Sequence, residues 1–391
     1  MQTDTSRQQE EVIAFLEDPG SYAPRPSSVE VIETHGALVF LAGDEVFKIK
    51  RAVAFDYMDF SSLEKRQAVC ERELVLNQPA APDLYLGMVP ITRDASGSLA
   101  IAGSGTPVEW AVHMRRFNQD DLYCALARRH KIDQEMIKDL AATIASYHRR
   151  LDRQARADGT GPVADIIKEL RDAFSELTQF IPPDTADAYL TAAGKRLAEV
   201  SSVLDARAAN GLIRRCHGDL HLGNIVQWDG KPVLFDALEF DEALDTTDLL
   251  YEMAFLVMDL WHEGLRAEAN LLLNRYLFET ANLEQLDGLL AFGLFMAIRA
   301  GIRAMVTAQR AALVAGDELE GSTSPVTYLH DGMGFLTPHQ PRLVAVGGLS
   351  GTGKSTLAAE LAVHVGAIPG AIHIRSDLER KLLLGVGETE R

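Results

Sequence analysis

Within the run CHGDLHLGNIVQWDGKPVLFDALEF, residues 216–240, Asp219 and Asn224 stand five positions apart and Asp236 follows twelve later. Two carboxylates and an amide carbonyl are hard oxygen donors. Phosphoryl transfer from ATP needs a group that orients or deprotonates the acceptor hydroxyl, and oxygen ligands for the Mg2+ that bridges the phosphates. Asp219, Asn224 and Asp236 supply that set. Taken singly, each has an ordinary reading: an Asp or Asn in a loop caps a helix or fixes a turn, and His217 is a packed, hydrogen-bonded histidine. It is the combination that points to chemistry, placed on a loop, a strand (IVQW), an Asp229-Gly230 turn and a second strand (PVLFDA).

Such a set needs a lysine on a strand to hold the α- and β-phosphates and a glutamate on the next helix to hold the lysine. The stretch ALVFLAGDEVFKIKR contains two β-rich runs around Gly43-Asp44, a tight hairpin whose alternation places Val46, Lys48 and Lys50 on one face. Lys48 is the preferred lysine, with Lys50 its rival. The next segment, SSLEKRQAVCERELVLNQ, has helical spacing with Ser61 or Ser62 as cap, and offers Glu73 or Glu71 as partner. Glu73 is preferred because it precedes the apolar LVL turn. A solvated surface lysine and glutamate are the plain alternative for each.

Together HGDLHLGN, LFDALEF and FKIK resemble the aminoglycoside phosphotransferase-like branch of the protein-kinase-like fold, over roughly residues 30–335. The resemblance implies a two-lobed ATP-binding fold in which EWAVHMRRF connects the lobes and backbone groups around Met114 meet the adenine. It implies Asp219 as catalytic base, His217 as the residue that orients the loop, and Asn224 and Asp236 as Mg2+ ligands. The chain departs from protein kinases in having no glycine after Asp236, no A-P-E segment and no G-x-G-x-x-G before Lys48, where only Gly36 and Gly43 lie nearby. A small-molecule acceptor is therefore expected. The acidic run EFDEALDTTD reads as a solvated loop that would also suit a cationic acceptor, with Asp248 as a brace for the metal-binding strand.

A second phosphate motif, GLSGTGKST, satisfies G-x-x-x-x-G-K-[ST]. RLVAVGG before it reads as a buried strand and TLAAELAVHV after it as a helix. Glycines let backbone N–H groups converge on phosphate oxygens, and the helix N-terminus adds positive potential. Gly348, Gly351, Gly353, Lys354, Ser355 and Thr356 are the expected nucleotide-binding residues, with Ser355 also on Mg2+. AIHIRSD reads as a second strand. The segment IRSDLERK resembles small P-loop kinases similar to polynucleotide and gluconate kinases, which implies acceptor contacts from Arg375, Asp377 and Arg380; a helix cap is the equal alternative for Asp377. The whole order resembles bacterial bifunctional aminoglycoside phosphotransferase/ATP-binding proteins, whose P-loop part belongs to the AAA-like kinase group. Two strands and two helices cannot bury both faces of a sheet, so this domain reads as incomplete, with the chain continuing past Arg391.

Composition narrows the partners. A net charge of −18 over 391 residues leaves no positive field for bulk nucleic acid or an anionic membrane. Cys70, Cys124 and Cys216 are odd in number and far apart, without zinc or disulfide spacing, so a reducing cytoplasm fits. The N-terminus lacks a secretory pattern, and MAFLVMDLWHEGLRAEANLLL is interrupted by charges, so it reads as a buried helix.

The expected class is α+β: a helical extension (1–29), a small antiparallel-sheet lobe (30–118), a mostly helical lobe (119–336) and the start of a P-loop α/β domain (341–391). The expected function is ATP- and Mg2+-dependent phosphorylation of a small-molecule hydroxyl. The alternative is a catalytically idle nucleotide-binding or substrate-recognition module that regulates the P-loop part.

Overall fold

The computed structural model describes residues 4–34, 36–55, 58–153, 155–239, 245–281, 283–313 and 324–386. The chain forms two compact units: residues 1–125, 217–219 and 223–246, and residues 126–216, 220–222 and 247–391.

The first unit is built on an antiparallel sheet. Its strands are β1 (Val29–Glu33), β2 (Ala37–Ala42), β3 (Glu45–Lys50), β6 (Tyr85–Arg93), β7 (Leu99–Ile101) and β8 (Thr106–Arg115), in the order β1-β2-β3-β8-β6-β7. A short hairpin, β4 (Ala54–Phe55) and β5 (Met58–Asp59), precedes helix α2 (Leu63–Asn77). Side chains alternate across a strand, and the two faces have different covers. Phe40, Phe47 and Ile49 pack with Val12 and Leu16 of helix α1 (Asp4–Glu17), whereas Leu41 and Val46 pack with Cys70 and Leu74 of α2. The N-terminal helix of the expected extension thus packs into the sheet's core. Buried Gln9 fixes it further, donating to Lys50 O and to Glu109 Oε2, each at 2.8 Å.

Strand β9 (Ile213–Arg215) precedes the motif loop; β10 (Ile225–Trp228) and β11 (Lys231–Leu234) form the hairpin expected from the sequence, and β12 (Thr246–Asp248) follows. Asp229 (φ 48°) and Gly230 (φ 77°) take the consecutive left-handed conformations that a two-residue hairpin turn requires. Residues 217–219 and 223–246 belong to the sheet unit, although sequence order placed them in the helical lobe. The motif residues therefore share one unit with Lys48.

The second unit is helical: α3 (Tyr123–Arg128) leads into α4 (Gln134–Arg150), α5 (Thr160–Glu176), α6 (Pro183–Ala209), α7 (Leu249–His262), α8 (Arg266–Thr280), α9 (Leu283–Leu313) and α10 (Pro325–Leu336). By length and composition α9 could cross a membrane, but 61% of its apolar window is buried inside the protein. Its glycines let neighbours approach: a Cβ at Gly301 would lie 2.5 Å from the Tyr189 hydroxyl, which itself donates to Ala297 O at 2.6 Å. The segment MAFLVMDLWHEGLRAEANLLL is not a single helix: it starts in α7, where every residue from Leu249 to Leu260 is buried, turns at Gly264 (φ 80°) and continues in α8. Asp248 caps α7 through Leu250 N–H and holds Arg207 of α6 with both oxygens, at 2.6 and 2.7 Å. It braces two helices rather than the strand that leads to Asp236.

Neither strand expected in the P-loop part forms. Residues 342–349 are unpaired, with Leu343 97% exposed, and 371–375 have no ladder. A strand is stabilised by the ladder on its edges, and neither segment meets one among the described residues. Instead Asn270 and Asn274 of α8 donate to Ala371 O, at 3.1 and 3.2 Å, and Asn274 accepts from His373 N–H at 2.6 Å. The helices do form, as α11 (Lys354–Ala362) and α12 (Ser376–Leu383). The loop GDELEGSTSP lies mostly outside the described residues, as do residues 240–244 of the acidic run.

Candidate active site

Because Lys48 and Lys50 are two apart on β3, both side chains leave the sheet on the face covered by α2. Both reach Glu73, which is 0% exposed: Lys48 Nζ lies 2.9 Å from Oε1 and Lys50 Nζ 2.6 Å from Oε2. Glu71 points to solvent, where it accepts from Gln67. The choice between the glutamates thus resolves to Glu73, and the lysines are both engaged. Lys48 also lies 2.5 Å from Asp236 Oδ1, and Lys50 contacts Glu239 Oε1. Two cations and three carboxylates form one network.

Asp236 has a left-handed backbone, φ 62°, a conformation that costs a non-glycine residue energy and persists where the surroundings dictate it. The surroundings here are explicit. Phe235 N–H donates to Asn224 O (3.1 Å), Asp236 N–H to the Tyr85 hydroxyl (3.1 Å), Ala237 N–H to Asn77 Oδ1 (2.8 Å) and Leu238 N–H to His217 O (2.9 Å). The His217 ring returns a bond to Phe235 O at 2.9 Å and is 2% exposed. His217 is therefore a brace for the Asp236 loop, buried away from solvent. Asn224 Nδ2 donates to Asp219 O (2.9 Å) and Oδ2 (3.2 Å), which joins the two ends of the catalytic-loop motif.

Of these groups Lys48, Tyr85, Asn224, Phe235 and Asp236 border a cavity of about 350 Å³ within the sheet unit, which Met114 also lines. Ile32 and Thr34, at the β1–β2 turn, form another wall where no glycine-rich loop exists. Met114 sits in strand register with Val46 on one side and Tyr85 on the other. Its side chain lines the cavity, as do Arg115, Arg116 and Phe117 after it, while its backbone pairs within the sheet.

Electrostatics follow from this burial. For Lys48, desolvation is outweighed by Asp236 and Glu73, so its pKa lies well above the ordinary value. Burial would raise Glu73 and Asp236, but Lys48, helped by Lys50, outweighs it on both, so both fall below the ordinary range. Glu239 goes the other way, because burial exceeds the pull of Lys50. Carboxyls with lowered pKa contribute stability above their unfolded values, 4.5 and 3.8, and lose it as the pH falls through the folded ones. The urea midpoint of the sheet unit should therefore decline on acidification below about pH 4, and a Lys48→Met variant should show a flatter decline.

In the P-loop part, Gly351 (φ 79°) and Gly353 (φ 81°) take left-handed turns and Gly353 caps α11. Lys354 Nζ folds back on Leu349 O at 2.5 Å, and Thr352 Oγ1 donates to the same carbonyl at 2.8 Å. Gly348 is exposed ahead of this turn, and Ser355 and Thr356 are exposed in the first turn of α11. Lys354, Ser355, Arg375 and Asp377 border one groove of about 280 Å³. Asp377 pairs with Arg375 at 2.7 Å, while Arg380 points to solvent without bordering that groove.

Sequence reasoning missed several members of the sheet-unit site. Glu239 was legible as a carboxylate three residues past Asp236. Tyr85, Asn77 and Thr34 carried no local signal, since they reach the site only through the pairing of β6, the docking of α2 and the β1–β2 turn respectively.

Residues 116–289 match the model of a family described as phosphotransferase enzymes. Proteins of uncharacterised function from Mycobacterium bovis and Mycobacterium tuberculosis are each 31% identical over 346 residues, which cover 87% of this chain. The chain spans 66% of the length of these curated relatives. Among solved structures, a choline/ethanolamine kinase family protein from Mesorhizobium loti aligns with TM-score 0.49 at 14% identity, covering 85% of this chain and 95% of its own. The GDP complex of aminoglycoside 2'-phosphotransferase-IIIa aligns with TM-score 0.46 at 15% identity, covering 84% and 96%.

Proposed function

We propose that the sheet unit carries the active site of a protein-kinase-like phosphotransferase, which moves the γ-phosphoryl group of ATP to a hydroxyl of a small molecule. One observation carries the reading: Lys48, Glu73 and Asp236 form a connected ion-paired set, with Asn224 and Asp236 on the same cavity. Lys48, held by Glu73, aligns the α- and β-phosphates. Asp219 takes the proton of the acceptor hydroxyl as its oxygen bonds to phosphorus and the bond to ADP breaks.

Asn224 and Asp236 are the residues that would hold Mg2+, which supplies charge neutralisation on the phosphates. The donor set fits, being hard oxygens, and Asp236 Oδ1 already faces a cation, the Lys48 ammonium. Gly348, Gly351, Gly353, Lys354, Ser355 and Thr356 would form a second nucleotide site, with Ser355 on its metal and Arg375, Asp377 and Arg380 towards an acceptor. The left-handed glycines and the groove shared by Lys354, Ser355, Arg375 and Asp377 support that assignment.

The test is a screen of hydroxyl metabolites for an ATP-dependent gain of one phosphoryl mass, run with wild-type, Asp219→Asn and Lys354→Ala proteins. A product made by wild type and by Lys354→Ala but not by Asp219→Asn is the expected result. A product that depends on Lys354 and not on Asp219 would move the chemistry to the P-loop part.

A further inference from the structure

The two-lysine arrangement contains more than the site's chemistry uses. Phosphate alignment employs one lysine, yet Lys50 is 2% exposed and sits in the same network, between Glu73 Oε2 and Glu239 Oε1. Successive strand residues rise about 3.3 Å, so two lysines on one face can bracket a single carboxylate. Here each takes one oxygen of Glu73. Lys50 thus stops that carboxylate from turning away from Lys48.

Its second contact reaches the other side of the site. Glu239 lies three residues after Asp236, and the residues from Phe235 to Leu238 are tied in sequence to Asn224, Tyr85, Asn77 and His217. Lys50–Glu239 is the last tie of that series and, with Lys48–Asp236, is made through charge. It joins the loop bearing Asp236 to the same glutamate that anchors Lys48.

We propose that Lys50 and Glu239 are a positioning pair, which fixes the Asp236 loop relative to Lys48 and so sets the geometry in which Asp236 meets the divalent cation. The assignment rests on the phosphotransferase reading of this site. Charge arithmetic sets it apart from a purely structural role. The network holds two cations and three carboxylates, so removing Glu239 balances the charge and relieves a burial cost that its lysine partner does not fully offset. Deleting Glu239 also strands no charge, because Lys50 keeps Glu73 as its partner, so the usual cost of removing one member of a buried pair does not arise here. A positioning pair cannot be replaced without loss of function.

The experiment compares wild type with Glu239→Leu by three measurements: urea unfolding, amide hydrogen exchange in the nucleotide- and metal-free protein, and the Mg2+ concentration at which a fluorescent ATP analogue binds half-maximally. Expected are an unchanged or higher urea midpoint and exchange at Asp236, Ala237 and Leu238 faster by roughly tenfold. The Mg2+ midpoint should rise by about tenfold or more, as when the support of a metal ligand is removed. Unchanged exchange together with an unchanged Mg2+ midpoint would overturn the inference. If wild type binds no nucleotide at any Mg2+ concentration, the functional reading fails instead, and the exchange result alone decides whether the pair holds the loop. Should Glu239→Leu not fold, Glu239→Gln, which keeps the side-chain size, is measured by the same criteria.

Discussion

Asp219→Asn is expected to lower ATP-dependent turnover by roughly 10²–10⁴-fold, the usual contribution of a positioned general base, while leaving nucleotide affinity nearly unchanged. Asparagine has the same shape and cannot accept the acceptor's proton. The motif should survive the exchange, because the shorter of the two Asn224 bonds goes to the backbone carbonyl of residue 219, at 2.9 Å, and does not involve the carboxylate. Asp219 also raises the Asp236 pKa, so its neutralisation eases a like-charge interaction rather than creating one. Single-turnover measurement with nucleotide titration separates the two effects. Full turnover in the variant would remove Asp219 from the reaction.

Lys48→Met is expected to abolish turnover and to destabilise the sheet unit as well, by about 3–5 kcal/mol, the range for deleting one partner of a buried ion pair. The lower part of that range is expected. Glu73 is fully buried, but the Asp236 side chain is 41% exposed and water can solvate it once the lysine is gone. Lys50 also continues to pair with Glu73. Adding Asp236→Asn to Lys48→Met should recover part of the stability and none of the activity. Urea titration of both variants checks this, and a Lys48→Met protein as stable as wild type would show that the network does not form in solution.

How far the site could be seen in the sequence differs by kind of residue. Asp219, Asn224 and Asp236 were visible because a loop fixes their spacing locally. Lys48 was visible because strand alternation and a following helix leave few choices. The choice between Glu71 and Glu73 was nearly legible too: on α2 only Glu73 lies on the stripe with Cys70 and Asn77 that faces the sheet. The participation of Lys50 was hidden, since a second lysine on a strand face looks like a solvated one until the helix above it supplies a carboxylate to share. The P-loop part was misread at its strands for a related reason. RLVAVGG has the composition of a buried strand, but composition cannot supply the neighbour whose hydrogen bonds make one, and the segment is exposed.

The sequence by itself determined the local pieces: the hairpin turns at Gly43-Asp44 and Asp229-Gly230, a serine cap for α2 at 61 or 62, the alternation of β3 and the glycine turn before α11. Each is set by steric and hydrogen-bonding preferences that act within a few residues. Only the tertiary structure decided which unit the motif loop joins, that Asp248 serves helices rather than the strand leading to Asp236, and that one glutamate answers two lysines. Those outcomes depend on pairing across as many as 189 positions, as between Lys50 and Glu239. At that separation burial forces a charge to find a partner, and the packing of the sheet and α2 selects it.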